Sequence, residues 1–277
     1  RDGYHLDVKV GRYTAACTWF EMITGQNVVG NPYAPETIDP QVVKIAQNAA
    51  HYAVQKPDEV TDMVNFKEPE IAGTDLKAPV YIDFGPTSLS ATPWNNITSH
   101  QESSTSSWIK DAENNYTNIG VRVLGGFTAT HAGVGSEPAS PVTVDGVEFP
   151  LTAWKDGLLV GGEKNKGDVG PGRIEISQLD AARKYNFMIL AIRFNGSKDA
   201  RISSYKLVGK TESEVKKVKT GIKDVAAFNA AKFEEYIAKF ENIEPDSEGK
   251  VIVEVKGIDT GLAAEGHINA LCISPVK

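Results

Sequence analysis

The sequence predicts a mainly β protein, an antiparallel sandwich preceded by a short α-helical segment, and three observations carry that prediction. Over the first sixty residues apolar side chains recur at intervals of three and four, whereas from Val80 onward short alternating segments are separated by Gly, Asn, Asp and Pro. The third is size: 277 residues with 41% hydrophobic and 23% charged side chains can bury a full core without metal or disulfide staples.

The first helix is expected over residues 11–24, with Tyr13, Ala16, Cys17, Phe20 and Ile23 on one side and Gly25 as its C-terminal cap. A second follows from Asp39 as N-cap and Pro40 at the first helical position, carrying Val43, Ala46, Ala49, Ala50 and Ala53 up to the stop at Pro57. Pro69, Gly73 and Pro79 then punctuate a stretch without period, so residues 1–65 read as a helical unit, 66–78 as a linker and 79–277 as the sandwich. Nine strands are expected: Val80–Phe84, then residues 119–124, 142–149, 158–160, 173–176, 185–194, 202–208, 251–255 and 267–273. One helix is expected among them, over residues 224–240, with Val225, Phe228, Phe233, Tyr236, Ile237 and Phe240 on one side to cover an end of the sandwich.

Composition excludes several classes of function. With 29 basic against 36 acidic side chains the formal charge is -7, and the densest basic run, Lys216-Lys217-Val218-Lys219, is too short to track a phosphate backbone, so no nucleic-acid partner is expected. No apolar run approaches the roughly 20 residues of a membrane-spanning helix. Cys17 and Cys272 are the two cysteines and stand at opposite ends, which excludes a disulfide framework and a cysteine-based zinc site. His51, His100, His131 and His267 are scattered, so neither a metal site nor a cofactor is expected.

The sharpest chemical signal is Asp2-Gly3-Tyr4-His5-Leu6, followed by Gly11-Arg12-Tyr13-Thr14-Ala15-Ala16. A carboxylate three residues before a histidine can hold the imidazole tautomer while the ring takes a proton from a nucleophile; a plain surface loop is the alternative. The run resembles the last sequence block of the SGNH (GDSL-like) hydrolases, over roughly residues 1–25. The resemblance implies that His5 is the general base and Asp2 its orienting acid, and that the helical segment is the remnant of an α/β hydrolase domain. That family's nucleophilic serine sits in a Gly-Asp-Ser block, and no such block occurs here; Ser136, Ser197 and Ser247 stand in turn-like contexts rather than in a nucleophile elbow. With Arg1 as its first residue the chain reads as beginning inside a domain, the C-terminal part of a hydrolase that by itself is inactive.

The β portion resembles, more loosely, the galactose-binding-like or malectin-like jelly rolls appended to bacterial polysaccharide-degrading enzymes, through Val80-Tyr81-Ile82-Asp83-Phe84-Gly85, Trp94-Asn95-Asn96-Ile97, Tyr205-Lys206-Leu207-Val208-Gly209 and Ile268-Asn269-Ala270. The resemblance implies a carbohydrate esterase acting on acylated polysaccharide, with an accessory sandwich that holds glycan, and an exported, periplasmic or surface location. A non-catalytic carbohydrate-binding or interaction module is the alternative. Sugar recognition calls for exposed aromatic faces beside amide, carboxylate or guanidinium groups, and Trp94, Asn95, Trp108, Tyr116, Trp154 and Arg193 are of the right types. The alternatives are a core position for Trp94 and an ion pair of Arg193 with Asp83 or Asp180. The glycine-rich loop over residues 161–172, with Asp168, reads either as a calcium loop or as a flexible hairpin. Apolar faces on the opening helices are expected to dock on the sandwich or to self-associate with a second copy.

Overall fold

The computed structural model describes residues 6–7, 9–35, 38, 40–60, 76–102, 105–106, 109–132, 141–161, 170–194, 201–222, 230–258 and 264–276. The chain divides into two compact units, Arg1–Ile71 and Ala72–Lys277. Among the described residues no helix is long and apolar enough to cross a membrane.

The first unit holds α1 (Val10–Thr24) and α2 (Pro40–Gln55). Asp7 starts α1 by accepting the free N–H groups of Lys9 and Val10 at 3.1 and 2.8 Å. Gly25 ends it in the left-handed region at φ 67°, donating its N–H to the Glu21 carbonyl. The core is small: Tyr13, Cys17, Val28, Ile38, Val43, Ala46 and Ala50. Polar clasps supplement it. Gln47 Nε2 donates to the Tyr13 hydroxyl at 2.9 Å and that hydroxyl donates to the Tyr33 carbonyl, while Glu21 meets His51 Nδ1 at 2.6 Å. Ile23, expected on the buried side of α1, is instead 76% exposed, and Trp19 and Met22 beside it are 69% exposed. The apolar residues of α1 run all round the helix; Tyr13, Cys17 and Glu21 are its buried residues and Phe20 packs against the same core, half-buried.

The second unit is the sandwich. In chain order its strands are β1 (Val80–Phe84), β2 (Trp94–Ile97), β3 (Thr105–Ser106), β4 (Gly120–Gly125), β5 (Ala129–His131), β6 (Val142–Val144), β7 (Val147–Phe149), then the one-turn α3 (Thr152–Lys155), β8 (Gly157–Gly161), β9 (Gly172–Ser177), β10 (Tyr185–Leu190), β11 (Arg193–Phe194), β12 (Ile202–Val208), β13 (Lys216–Lys219), β14 (Gly221–Ile222), β15 (Ile237–Ile243), β16 (Val251–Gly257), β17 (Glu265–Ile268) and β18 (Ala270–Pro275). A five-stranded sheet in the order β15-β10-β18-β1-β2 faces a six-stranded sheet in the order β13-β12-β16-β9-β4-β3. Pairing is antiparallel except for β1 with β2 and β11 with β14.

Alternation explains the main core. Val80, Ile82 and Phe84, Phe187 and Ile189, and Leu271 and Ile273 point inward from the first sheet, and Val121, Ile174, Tyr205, Leu207, Val253 and Val255 meet them from the second. The outer face of the first sheet is covered as well. The β6–β7 hairpin, α3 and a 3-10 turn over Ala230–Tyr236 lay Phe149, Trp154 and Phe233 on Trp94, Leu190, Ala270 and Cys272. This second layer gives the five-stranded sheet apolar packing on its outer face too, at Tyr81, Met188, Leu190, Ala270 and Cys272.

Three expected strands each split in two: residues 142–149 form the β6–β7 hairpin, and the other two break around Asn269. Residues 185–194 become β10 and β11, and residues 267–273 fall into β17, in a three-stranded sheet with β8 and β5, and β18, in the five-stranded sheet. Asn269 holds both breaks: its Oδ1 accepts the Ile192 N–H at 2.8 Å while its Nδ2 faces the carbonyls of Trp154, Asp156 and Ile192 at 3.1, 2.8 and 3.0 Å.

The expected helix over residues 224–240 is corrected. Its first part lies outside the described residues, the next forms the 3-10 turn, and from Ile237 the chain is β15, paired antiparallel with β10 from Leu190↔Ile237 to Phe187↔Phe240. The edge of β10 offered a row of unpaired backbone groups, and satisfying them outweighed the helical spacing of Phe233, Tyr236, Ile237 and Phe240.

Candidate functional site

The covering layer stops short of one end of the five-stranded sheet, and there its outer face lies open. Alternation sends Lys239 and Glu241 of β15, Asn186 and Met188 of β10, and Cys272 and Ser274 of β18 to that face, because their neighbours Phe240, Phe187 and Ile273 point into the core. Register sets the rows. Met188 lies between Lys239 and Cys272, and Asn186 lies beside Ser274. The turn of the β6–β7 hairpin forms the wall, with Asp145 at φ 49° and Gly146 at φ 78°, a pair of left-handed residues that suits a two-residue hairpin. The result is a groove of about 260 Å³, lined by Asp145, Val147, Asn186, Met188, Lys239, Glu241, Cys272 and Ser274 together with Pro79 and the edges of Phe187 and Phe240.

Its electrostatics are defined by Lys239, which reaches Asp145 across the groove at 2.7 Å and also pairs with Glu234. Partial burial works against the ammonium, but these two carboxylates outweigh it and raise its pKa, so Lys239 stays charged and tethers the hairpin turn to the sheet. Asn186 Oδ1 accepts the Asn242 N–H at 3.0 Å, which fixes the amide so that Nδ2 is the donor left for the groove. Cys272 is buried and its thiol pushed up by that burial, so it acts as a small apolar group. An apolar floor with convergent amide, hydroxyl and carboxylate groups is the composition of a small polar-ligand site.

The residues expected from sequence sit elsewhere. Asp2, His5, Trp108, Ser136, Asp168 and Ser197 lie outside the described residues. Trp154 is a correction: it is fully buried, 5.7 Å from the Phe233 ring, and has no face to offer a sugar. Trp94 is 9% exposed and packed between Tyr81 and Phe149, the core position that was its alternative. Asn95 spends its amide on backbone, donating to the Tyr81 and Lys110 carbonyls and accepting the Lys110 N–H, and so pins the segment that carries Tyr116. Tyr116 is 50% exposed with the Lys110 ammonium 4.8 Å from its ring centre. Arg193 pairs with neither Asp83 nor Asp180; it donates to the Ala132 carbonyl at 2.6 Å and meets His131 Nδ1 at 3.2 Å. Ser247 stands in a turn organised by the Asp246 carboxylate, which accepts the N–H groups of Glu248 and Lys250.

Sequence reasoning missed two polar clusters besides the groove. His131 and His267, far apart in sequence, stack edge to face at 5.1 Å and are buried. Burial holds both imidazoles neutral. Next to them Arg201 pairs with Glu265; burial opposes that charge, but His267 and Arg201 together hold the carboxyl down at about 2. The second cluster joins Asp83 and Asp156. Asp83 Oδ2 accepts the Ser90 N–H at 3.0 Å, and Asp156 Oδ2 accepts the N–H and hydroxyl of Thr87, both at 2.7 Å. Among the described residues no group of three or more His, Cys, Asp or Glu side chains gathers as a metal site.

Comparison with known proteins bears on both units. Residues 1–53 match the family model of a domain of unknown function, DUF4886. A crystal structure of a DUF4886 family protein from Bacteroides uniformis is 61% identical over 24% of this chain, with a TM-score of 0.24, and the match spans 26% of that protein. The ANX2 ectodomain from Arabidopsis thaliana is 9% identical over 73% of this chain and 50% of its own, with a TM-score of 0.43. The ANXUR2 extracellular domain from the same plant is 9% identical over 73% and 49%, with a TM-score of 0.40. No curated protein matches the chain.

Proposed function

We propose that the sandwich is a glycan-binding module and that it binds in the groove on the outer face of the five-stranded sheet. The observation that carries this reading is the row Glu241, Asn186 and Ser274 set beside the apolar Met188, Cys272 and Val147 in one groove of about 260 Å³. That volume falls below the roughly 300–1,000 Å³ of sites for drug-sized molecules, which suits one sugar unit of a chain. Among the described residues, Tyr116 remains a candidate for stacking on a sugar ring, with one face already attended by Lys110. The reading is tested by affinity electrophoresis of the full chain through gels containing single polysaccharides. Retardation by at least one neutral polysaccharide is expected, and Glu241→Ala combined with Ser274→Ala should remove most of it. Migration unaffected by every polysaccharide would reject the reading.

For the helical unit the finer proposal is an SGNH-type carbohydrate esterase, exported to the periplasm or cell surface, in which Asp2 orients His5. It rests on the Asp-x-x-His-Leu block and the helix that follows. Because the nucleophile's Gly-Asp-Ser block is not in this sequence, the purified 277-residue chain is expected to hydrolyse aryl acetates no faster than buffer. A turnover that His5→Ala abolishes would show that a serine of this chain supplies the nucleophile.

A further inference from the structure

We propose that the groove selects an uncharged sugar unit carrying an acetyl group, an inference that rests on the glycan-binding reading and specifies its ligand. An acetyl group asks for two things side by side, a donor for its carbonyl oxygen and an apolar recess for its methyl. The groove places them one row apart. Asn186 Nδ2 is the donor, since the Asn242 N–H occupies Oδ1 and, among the described residues, nothing accepts from Nδ2. The next row on the same face is Met188 and Cys272, paired in register, with Val147 of the hairpin beside them. These are slender aliphatic and sulfur groups, and the neighbouring aromatic rings, Phe187 and Phe240, are at most 3% exposed. Such a recess fits a methyl group, whereas a whole sugar ring stacking on an aromatic face finds no face here.

Charge narrows the class further. The groove's cation, Lys239, is held by Asp145 and Glu234, while Glu241 stands exposed at the rim with no ion-pair partner among the described residues. A uronate entering here would meet Asp145 and Glu241 with the local positive charge already taken. Sugar hydroxyls, by contrast, can donate to the Glu241 carboxylate and exchange hydrogen bonds with the Ser274 hydroxyl.

The test is isothermal titration of the full chain with four ligands: N-acetylglucosamine oligomers, an O-acetylated xylan, the same xylan after alkaline removal of its esters, and an oligogalacturonate. The expected result is at least tenfold tighter binding of one acetylated ligand than of the deacetylated xylan, with the oligogalacturonate weakest; the first two arms tell an amide-linked from an ester-linked acetyl group. Asn186→Asp keeps the acceptor for Asn242 and the side-chain shape but loses the donor. It should weaken the acetylated ligand at least tenfold with the unfolding temperature within a few degrees of wild type. Glu241→Gln should narrow the gap to the oligogalacturonate. Equal binding of acetylated and deacetylated xylan, with N-acetylglucosamine oligomers no tighter, would overturn the acetyl inference and leave glycan binding standing. Binding of none of the four, together with unaffected migration in every polysaccharide gel, would overturn both.

Discussion

Replacing Asn269 by Ala is expected to lower the stability of the sandwich unit by about 3–5 kcal/mol, measured by urea denaturation of the full chain followed at the buried tryptophans. The side chain is fully buried and serves three segments at once: the end of α3, the break after β10 and the break between β17 and β18. Truncation leaves the Ile192 N–H without its acceptor, and three carbonyls lose a donor in a region that water does not reach. Each buried orphan costs about 1–3 kcal/mol, partly recovered where a carbonyl retains another partner. Asn269→Asp separates the parts of this account. It keeps the acceptor for Ile192 but sets a carboxylate against three carbonyls, so it should be at least as damaging as Ala at neutral pH and improve as the solution is acidified. A loss below about 1 kcal/mol for Ala would mean that the strand breaks are held by packing alone.

The second large effect is a pH dependence at Asp83. Burial, together with the negative charge of Asp156, pushes its carboxyl up to about 8, against the opposing hydrogen bonds from Ser90. The sign follows from linkage. Above the ordinary carboxylate range the unfolded chain has released this proton while the folded state keeps it. The stabilising contribution is therefore fully present below about pH 4 and is lost as pH rises toward about 8, with a slope approaching about 1.4 kcal/mol per pH unit. Asp83→Asn supplies a permanently neutral group of the same shape. The wild type should lose stability relative to this variant by a few kcal/mol between pH 5 and pH 8, so that their stability curves converge or cross as pH rises. Parallel curves would show that Asp83 is ionised throughout. Glu265 works in the opposite direction: held down at about 2, it supports the fold above the ordinary carboxylate range and loses that support as acid is added, which keeps the two titrations in separate pH windows.

Much of the sandwich was legible because its strands follow a simple rule. Val80–Phe84 and Ile202–Val208 alternate as half-buried strands do, and their inward residues are core residues. Legibility ended where tertiary context overrode local pattern. Residues 237–243 have apolar side chains at helical spacing, and only the free edge of β10 makes them a strand. The expected helix over residues 224–240 also hid the groove, because it takes in Lys239 and stops short of Glu241, whereas in β15 the two share a face. Asn186, Met188 and Ser274 sit at visible outward positions of their strands, yet nothing local to them tells how far the β6–β7 hairpin, α3 and the 3-10 turn extend over the sheet. The tryptophans misled for a related reason. A single sheet would leave Trp94 on an outer surface, and the covering layer, to which Trp154 itself belongs, buries both. The carboxylates Asp83 and Asp156 lie 73 positions apart and meet only through folding.

The measurement that bears most directly on the groove uses the protein's own probes. The chain has 3 methionines, Met22, Met63 and Met188, so a methyl-labelled sample gives three ε-methyl signals, assigned by Met188→Leu. Met188 lines the groove and Met22 stands on the exposed side of α1. On titration with an acetylated neutral glycan the Met188 signal is expected to move in proportion to occupancy while the Met22 signal stays in place. Saturable binding of that glycan with the Met188 signal unmoved would place the site elsewhere and contradict the account.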